Sequence, residues 1–182
     1  MSRYTAFERL TLPLVRQLVR HWVRPSVLPD DLRDRLGAGR PVVYALEKRS
    51  VIDLAVLEYV CAERALPDPH ASVGAGAILP DSFLFLERRT GFFGQRVDRR
   101  MPDALRVLTT AANDDPAFEA EIVPVSLFWG RAPDRERSWF RLAIAEDWDI
   151  GGRFRKLLSL VLNGRNLLVL VGEPMQLQPA LT

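Results

Sequence analysis

Short apolar runs alternate with amphipathic stretches along most of the chain. Runs of four to seven apolar residues predict buried strands, and apolar positions spaced three and four apart predict helices. The predicted strands are 42–46, 82–87, 120–130 and 166–172, and the predicted helices are 51–65, 102–112, 138–148 and 152–163. Strands that alternate with helices favour an α/β fold, here a mainly parallel sheet flanked by helices. Pro124 cannot donate to a ladder, so we expect an edge or a bulge at that position.

The first 24 residues are predicted to form an amphipathic helix. Thr11 can cap a helix that has Pro13 in its first turn. The segment contains five arginines and one acid, Glu8. At 100° per residue one apolar face carries Tyr4, Phe7, Leu10, Leu14, Leu18 and Trp22, with Arg9, Arg16 and Arg20 opposite.

Two interpretations of this helix stay open. It could lie in the interface of an anionic membrane, with these apolar residues and arginines as its contacts. It could equally pack on the domain and present its basic side to solvent.

Residues 25–41 contain Pro25, Pro29, Gly37, Gly39 and Pro41, and we predict a linker there. The expected organisation is therefore a possible membrane-surface helix at 1–24, a linker at 25–41 and an α/β domain at 42–182.

Composition excludes several classes of protein. The chain has 182 residues, 48% hydrophobic residues and a net charge of +2, which suits one globular domain. Cys61, the only cysteine, allows no intrachain disulfide, and we expect it to be a buried thiol. No apolar run is long enough to span a membrane, and the first residues lack the apolar core of a secretory signal.

The stretch "EKRSVID", residues 47–53, joins a predicted strand to a predicted helix. Ser50 and Asp53 fit the S-x-x-D pattern in which the serine side chain caps a helix. Strand ends that lead into helices are also where α/β proteins place their chemistry. The pattern therefore fits either a helix cap or a site.

Four motifs give the chain a resemblance to the glycerophospholipid acyltransferases. Lys48, Arg49, Ser50 and Asp53 align with the first motif of that family, His-Arg-Ser-x-x-Asp, with lysine at the histidine position. Further matches are "FLFLERRTG", with Arg88 and Arg89, "EIVPVSLFWGRAP", with Pro124 and Val125, and "LVLVGEP", with Gly172, Glu173 and Pro174. The third motif, Glu-Gly-x-Arg-Ser, is absent between residues 90 and 121.

From about Tyr4 to Gln178 the chain resembles the amino-terminal part of the membrane-bound bacterial glycerol-3-phosphate 1-O-acyltransferases. The resemblance implies an acyltransferase-like fold and a separate carboxy-terminal catalytic domain as partner. It implies a parent reaction in which acyl-CoA or acyl-ACP and glycerol 3-phosphate give lysophosphatidate, the first step of phospholipid synthesis. It also implies a place on the cytoplasmic face of the bacterial inner membrane, held there without a transmembrane helix. No cofactor is expected.

The same resemblance implies that this portion is not itself catalytic. The motif histidine acts as the general base and the aspartate orients it, but an ordinary lysine amine is protonated at neutral pH and accepts no proton. We therefore expect no catalytic residue at Lys48, Arg49, Ser50 or Asp53, and a role in membrane attachment and packing. The alternatives are a self-contained small acyltransferase that uses Lys48 and Asp53, and a phosphate- or lipid-binding module.

Other candidate sites are weaker. The glycine-containing stretch 87–100 could hold a phosphate or a lipid headgroup through Arg88, Arg89, Arg96, Arg99 and Arg100, or could be a solvated loop paired with Glu87 and Asp98. His21 and His70 are the only histidines, too few for a metal site, and His70 is expected on a surface loop. Asp134 and Glu136 among the arginines of 130–141 argue against nucleic acid.

Overall fold

The structure is a computed structural model that describes residues 6–36, 39–74, 77–90, 96–98, 101–115, 118–129 and 167–177. The helices are α1 (Ala6–Trp22), α2 (Leu32–Arg35), α3 (Val51–Arg64) and α4 (Asp103–Asp114). The strands are β1 (Pro25–Leu28), β2 (Val42–Lys48), β3 (Phe83–Thr90), β4 (Arg96–Asp98), β5 (Glu121–Trp129), β6 (Leu167–Val171) and β7 (Met175–Gln176). The predicted helices 138–148 and 152–163 lie outside the described residues.

These strands form one mixed sheet in the order β1-β6-β5-β2-β3-β4, with β7 beside β5. The central strands β5, β2 and β3 are parallel, as the alternation of strands and helices predicted. β6 runs antiparallel to β5 and carries β1 parallel to itself, and β4 and β7 are antiparallel additions. The α/β class is confirmed.

Helices cover both faces of the centre of this sheet. α1 and α3 pack on one face, where Tyr44, Leu46 and Phe83 are almost fully buried among α3 residues. On the other face, Leu108 of α4 packs with Val43 and Leu84. Because β2 is covered on both sides, its apolar run is continuous rather than alternating.

The segment 25–41 is part of the domain, and its interpretation as a linker is wrong. Within it β1 pairs in register with β6, from Pro25 opposite Leu167 to Leu28 opposite Leu170. The proline at position 25 is tolerated because it is the first residue of an edge strand. Val27 and Leu32 are buried and tie the segment to the core.

The helix α1 buries a different face from the one we predicted. It begins at Ala6 and runs through Pro13, so Thr11 does not cap it. Val15, Val19 and Val23, spaced at i, i+4 and i+8, are 4%, 0% and 0% exposed. Of the predicted face, Leu14 is 69% and Trp22 is 39% exposed, while Leu18 is partly buried against the core. The side chains of residues 6–10 and all of Tyr4 lie outside the described part.

Pro124 lies in an interior strand, and of the two expected arrangements, an edge or a bulge, the structure has the bulge. The neighbouring chain shifts register beside Pro124, because Val125 pairs with Val171 while Ile122 pairs with Met175. The three residue steps from Ile122 to Val125 therefore pair with the four steps from Val171 to Met175. The neighbouring chain thus has one extra residue beside the proline, which has no N–H to donate.

Gly172 sits in this inserted stretch and donates its N–H to the carbonyl of Pro124 at 2.8 Å. A Cβ on Gly172 would lie 2.7 Å from Pro124 Cγ, so this close approach requires a glycine.

Within the described residues, no helix combines the length and the apolar character that a membrane span needs.

Candidate functional site

The first motif lies where the order of the strands reverses. From β2 the chain passes through α3 to β3 on one side, and it later returns to form β5 on the other side of β2. In open α/β sheets, ligands bind in the crevice outside the carboxyl ends of such strands. The residues after β2 and at the end of β5 therefore form the candidate site.

Ser50 is the N-cap of α3, as the S-x-x-D pattern predicted. Its backbone is extended, with φ −152° and ψ 122°, and its side-chain oxygen accepts from the backbone N–H of Asp53 at 3.2 Å. The carbonyl of Ser50 accepts the first helical bond, from Leu54 at 3.1 Å. Ser50 and Asp53 are both buried, 7% and 8% exposed, which places this cap inside the protein rather than at its surface.

The carboxylate of Asp53 is engaged by a tryptophan from the neighbouring strand. The indole N–H of Trp129, the last residue of β5, donates to Asp53 Oδ1 at 3.3 Å. Trp129 is partly buried and packs against the core cluster that contains α3. The indole of Trp129 thus connects the end of β5 to the first turn of α3.

Lys48 and Arg49 both lie at the protein surface. The ammonium of Lys48 is 3.0 Å from Glu47 Oε1, and the two side chains are 45% and 60% exposed. Glu47 therefore forms a solvent-exposed ion pair with the Lys48 ammonium, and such a pair adds little stability. The structure brings Ser50, Asp53 and Trp129 together, and it leaves Lys48 outside this buried group.

The arginine-rich stretch forms a β-hairpin in its described part. β3 and β4 pair antiparallel, with Arg88 opposite Asp98, Arg89 opposite Val97 and Thr90 opposite Arg96. This register agrees with the alternative in which Asp98 balances the arginines. Arg99 and Arg100 lie outside the described residues, as do the side chains of Arg88, Arg89 and Arg96.

A second cluster of charged residues joins three parts of the fold away from this site. On α3, Glu58 accepts two hydrogen bonds from Arg16 of α1, at 2.6 and 2.9 Å. Its Oε1 also lies 2.7 Å from His70 Nε2. On the other side of the ring, His70 Nδ1 is 3.3 Å from Asp81 Oδ1. We name these four residues, Arg16, Glu58, His70 and Asp81, the charged cluster.

His70 lies on a loop, as expected, but its side chain is only partly exposed. The exposed fraction is 29%, and the ring also contacts the edge of Phe83, with centroids 5.7 Å apart. Arg16, a predicted lipid contact, pairs with Glu58 and is 43% exposed. The sequence places the acidic residues Glu58 and Asp81 at i−12 and i+11 of His70. These spacings indicate a contact only once the fold brings the three positions together.

The pKa values of this cluster shift in opposite directions. The hydrogen bond to Glu58 raises the pKa of His70, burial opposes this rise, and Asp81 adds to it. Burial would raise the pKa of Glu58, but the hydrogen bonds from His70 and Arg16 outweigh burial and lower it. Both groups are thus stabilised in their charged forms.

The single cysteine lies on α3, away from both groups of residues. Cys61 is buried, as predicted, and burial raises the pKa of its thiol to about 12. Among the residues that the structure describes, no three His, Cys, Asp or Glu side chains are grouped so that they could hold a metal ion.

Comparison with known proteins identifies the family. Residues 11–182 match the family model described as the glycerol-3-phosphate acyltransferase PlsB N-terminal domain. No solved structure matches the chain.

Bacterial relatives named glycerol-3-phosphate acyltransferase share this region. The protein of Pseudomonas savastanoi pv. phaseolicola (strain 1448A / Race 6) is 36% identical over 174 residues, which cover 94% of this chain and 21% of the relative. The protein of Ectopseudomonas mendocina (strain ymp) is 36% identical over 172 residues, which cover 93% of this chain and 21% of the relative. The chain thus spans about a fifth of the length of these relatives. It belongs to the family of glycerol-3-phosphate acyltransferase PlsB N-terminal domains.

Proposed function

We propose that this chain is the non-catalytic amino-terminal part of a glycerol-3-phosphate 1-O-acyltransferase. The parent enzyme transfers an acyl group from acyl-CoA or acyl-ACP to the 1-hydroxyl of glycerol 3-phosphate and releases lysophosphatidate. This part packs on the carboxy-terminal catalytic domain and contributes to attachment at the cytoplasmic face of the bacterial inner membrane. Its fold is a degenerate copy of the acyltransferase fold.

The observation that carries the non-catalytic role is the contact between Trp129 and Asp53. A general base needs an accepting atom within reach of the substrate hydroxyl. Here the carboxylate is buried and accepts from the indole of Trp129, and the residue at the histidine position, Lys48, is a cation at the surface. The cap and this hydrogen bond give Ser50 and Asp53 a structural role that needs no chemistry.

An exposed apolar area supports packing on a further domain. On the face of the sheet opposite α1 and α3, Leu28, Leu170 and Phe128 are 45%, 42% and 53% exposed. They share one face because Leu28 pairs with Leu170, and Phe128 pairs with Leu168, two residues from Leu170. We name Leu28, Leu168, Leu170 and Phe128 the apolar sheet face.

The occupant that we propose for the apolar sheet face is the catalytic domain. The relatives have about four-fifths of their length outside the region matched here, and an exposed apolar patch suits contact with a neighbouring domain.

A charge placed on this face tests the packing. Phe128→Glu should leave the melting temperature of the 182-residue chain unchanged and should weaken its binding to the separately expressed catalytic domain at least tenfold. The matched control, Val107→Glu, alters the 41% exposed Val107 of α4 and should preserve binding. If Phe128→Glu instead destabilises the isolated chain, the face is covered within this chain and the proposed docking is wrong.

The exposed side of α1 supports contact with a membrane. Leu14 and Trp22 are exposed outside the buried valines, Leu18 between them is partly buried, and Arg20 is exposed on the opposite side of the helix. Exposed apolar side chains and cations on separate sides of one helix suit the interface of an anionic bilayer, where each basic residue gains about 1 kcal/mol that salt screens.

Sedimentation with vesicles tests this contact. Binding to anionic vesicles should exceed binding to neutral ones, weaken with salt, and fall when Leu14 becomes Asp. Equal binding to both kinds of vesicle would contradict the electrostatic part. The control Leu28→Asp introduces the same charge on the sheet and should not affect vesicle binding.

Neither alternative function gains a supporting contact. A self-contained acyltransferase would need Lys48 as its base, yet Lys48 is a surface cation next to Glu47. A phosphate- or lipid-binding module would rest on the arginines of 87–100, where the described register sets Arg88 opposite Asp98.

A further inference from the structure

The charged cluster contains a histidine whose two ring nitrogens both face carboxylates. Nε2 is 2.7 Å from Glu58 and Nδ1 is 3.3 Å from Asp81. An ionised carboxylate only accepts hydrogen bonds, so both contacts form together only when both ring nitrogens carry protons. A neutral imidazole has one N–H and must give up one of the two contacts. Only the imidazolium form of His70 makes both contacts at the same time.

These contacts brace one segment of the fold. His70 lies in the first half of the connection between α3 and β3, Asp81 lies near its end, and Glu58 lies on α3 itself. Inside the connection, the N–H of Ser82 donates to the carbonyl of Pro69, and the hydroxyl of Ser82 donates to the carbonyl of Ala71. We name residues 66–74 and 77–82 the α3–β3 connection.

The α3–β3 connection forms one wall of a cleft of about 470 Å³ at the amino end of β2. Leu66, Pro67, Ser72 and Ser82 line it on this wall. The other lining residues include Arg33, Arg40 and the start of β2. The α3–β3 connection therefore contributes a large part of the lining of this cleft.

We infer that His70 is a proton-dependent latch on the α3–β3 connection. As the imidazolium it ties the connection to α3 through Glu58 and to its own far end through Asp81. When it loses a proton, the shorter contact with Glu58 remains, the contact with Asp81 is lost, and this wall of the cleft loosens.

The other charged groups around the ring are consistent with this direction. From α1, Arg16 Nη2 lies 3.5 Å from His70 Nε2 and opposes the cation, but the same guanidinium is paired with Glu58. From the connection, Asp68 accepts the backbone N–H of His70 at 2.9 Å. From β3 the apolar Phe83 contacts the ring. The two carboxylates in direct contact therefore dominate.

The sign of the pH dependence follows from these contacts. Because the folded state raises the pKa of His70, its contribution to stability is complete below about pH 6.5 and is lost as pH rises through the folded pKa. Because the folded state lowers the pKa of Glu58, the contribution of Glu58 is complete above about pH 4.3 and is lost as pH falls through its folded pKa. Between about pH 4.3 and about pH 6.5 both contributions are complete, and the latch is closed.

Amide hydrogen exchange tests the latch in the whole chain. After correction for the intrinsic pH dependence of exchange, protection of the Ala71 and Ser82 amides should fall as pH rises through the pKa of His70. The fall should approach about tenfold for each unit by which the closed state raises that pKa. His70→Asn should remove the dependence, and the control His21→Asn, which alters an exposed histidine of α1, should preserve it.

A titration of the histidine signals by NMR guards against a variant that fails to fold. In the unmodified chain His70 should titrate above its ordinary value, and Asp81→Asn should lower its pKa. Protection that does not change with pH, or a pKa of His70 at or below about 6.5, would overturn the inference.

Discussion

Removal of the Ser50 hydroxyl should destabilise the domain, because this hydroxyl caps α3 at a buried position. In Ser50→Ala the backbone N–H of Asp53 loses the oxygen that caps it at 3.2 Å. An N-cap of this kind contributes about 1 kcal/mol. Both residues are more than nine-tenths buried, and a buried donor without its acceptor costs about 1 to 3 kcal/mol. We therefore expect a loss of about 1 to 2 kcal/mol.

This loss is large enough to measure by thermal unfolding. For a domain of this size, 1 kcal/mol corresponds to a change of about 2 to 4 °C in melting temperature. Circular dichroism at 222 nm or scanning fluorimetry therefore resolves Ser50→Ala from the unmodified chain. Ser50→Asn keeps an accepting oxygen at the N-cap and should retain most of the stability.

Two control variants make the prediction refutable. Ser72 is exposed, and Ser72→Ala should change stability by less than about 0.5 kcal/mol. Lys48→Ala should also be tolerated, since the Lys48 side chain lies in solvent. If Ser50→Ala is as stable as Ser72→Ala, or if Lys48→Ala is the more destabilising change, the structural interpretation of the motif is wrong.

Three further predictions concern the core and the sheet. Gly172→Ala should cost about 1 to 3 kcal/mol because its Cβ would lie 2.7 Å from Pro124 Cγ; Pro124→Ala in the same chain should recover part of that loss in urea denaturation. Leu108→Ala should cost about 2 to 5 kcal/mol in the same measurement, while Val107→Ala, one residue away and 41% exposed, should cost far less. Cys61, whose thiol has its pKa raised to about 12 by burial, should react with a thiol reagent at neutral pH only as fast as the chain unfolds.

The centre of the fold could be predicted because local signals there agree with one another. β2 is a continuous apolar run that ends at charged residues, and the next four residues contain the Ser50 cap and Asp53. Burial on both faces explains the run, and the cap explains where α3 begins. Propensity, pattern and capping all place the start of α3 at Val51, and the structure confirms that start.

The predictions for β1 and for the buried face of α1 were wrong. A short strand and a wide apolar helix surface each allowed more than one interpretation. β1 has four residues, begins with a proline and buries only Val27, so its pattern resembles that of a loop. In α1 both Leu14–Leu18–Trp22 and Val15–Val19–Val23 repeat at helical spacing. Contact with α3, which the helix sequence does not contain, selects the valines.

The contacts that define the sites depend on pairs far apart in the chain. Trp129 is 76 residues from Asp53, and Arg16 is 42 residues from Glu58. The sequence analysis singled out Asp53 and Arg16, one member of each pair. Only the packing of the fold brings Trp129 and Glu58 to them. The structural role of Asp53 that we propose therefore depends on its contact with Trp129 as much as on its place in the motif.

Formation of lysophosphatidate tests the central claim most directly. The 182-residue chain and its Lys48→His variant are incubated with acyl-CoA and glycerol 3-phosphate, beside a longer chain that joins these residues to the carboxy-terminal catalytic domain. We predict product only from the longer chain, and we predict that Asp53→Asn leaves that activity within about twofold when the protein remains folded. Product from the 182-residue chain alone that Asp53→Asn abolishes would contradict the account.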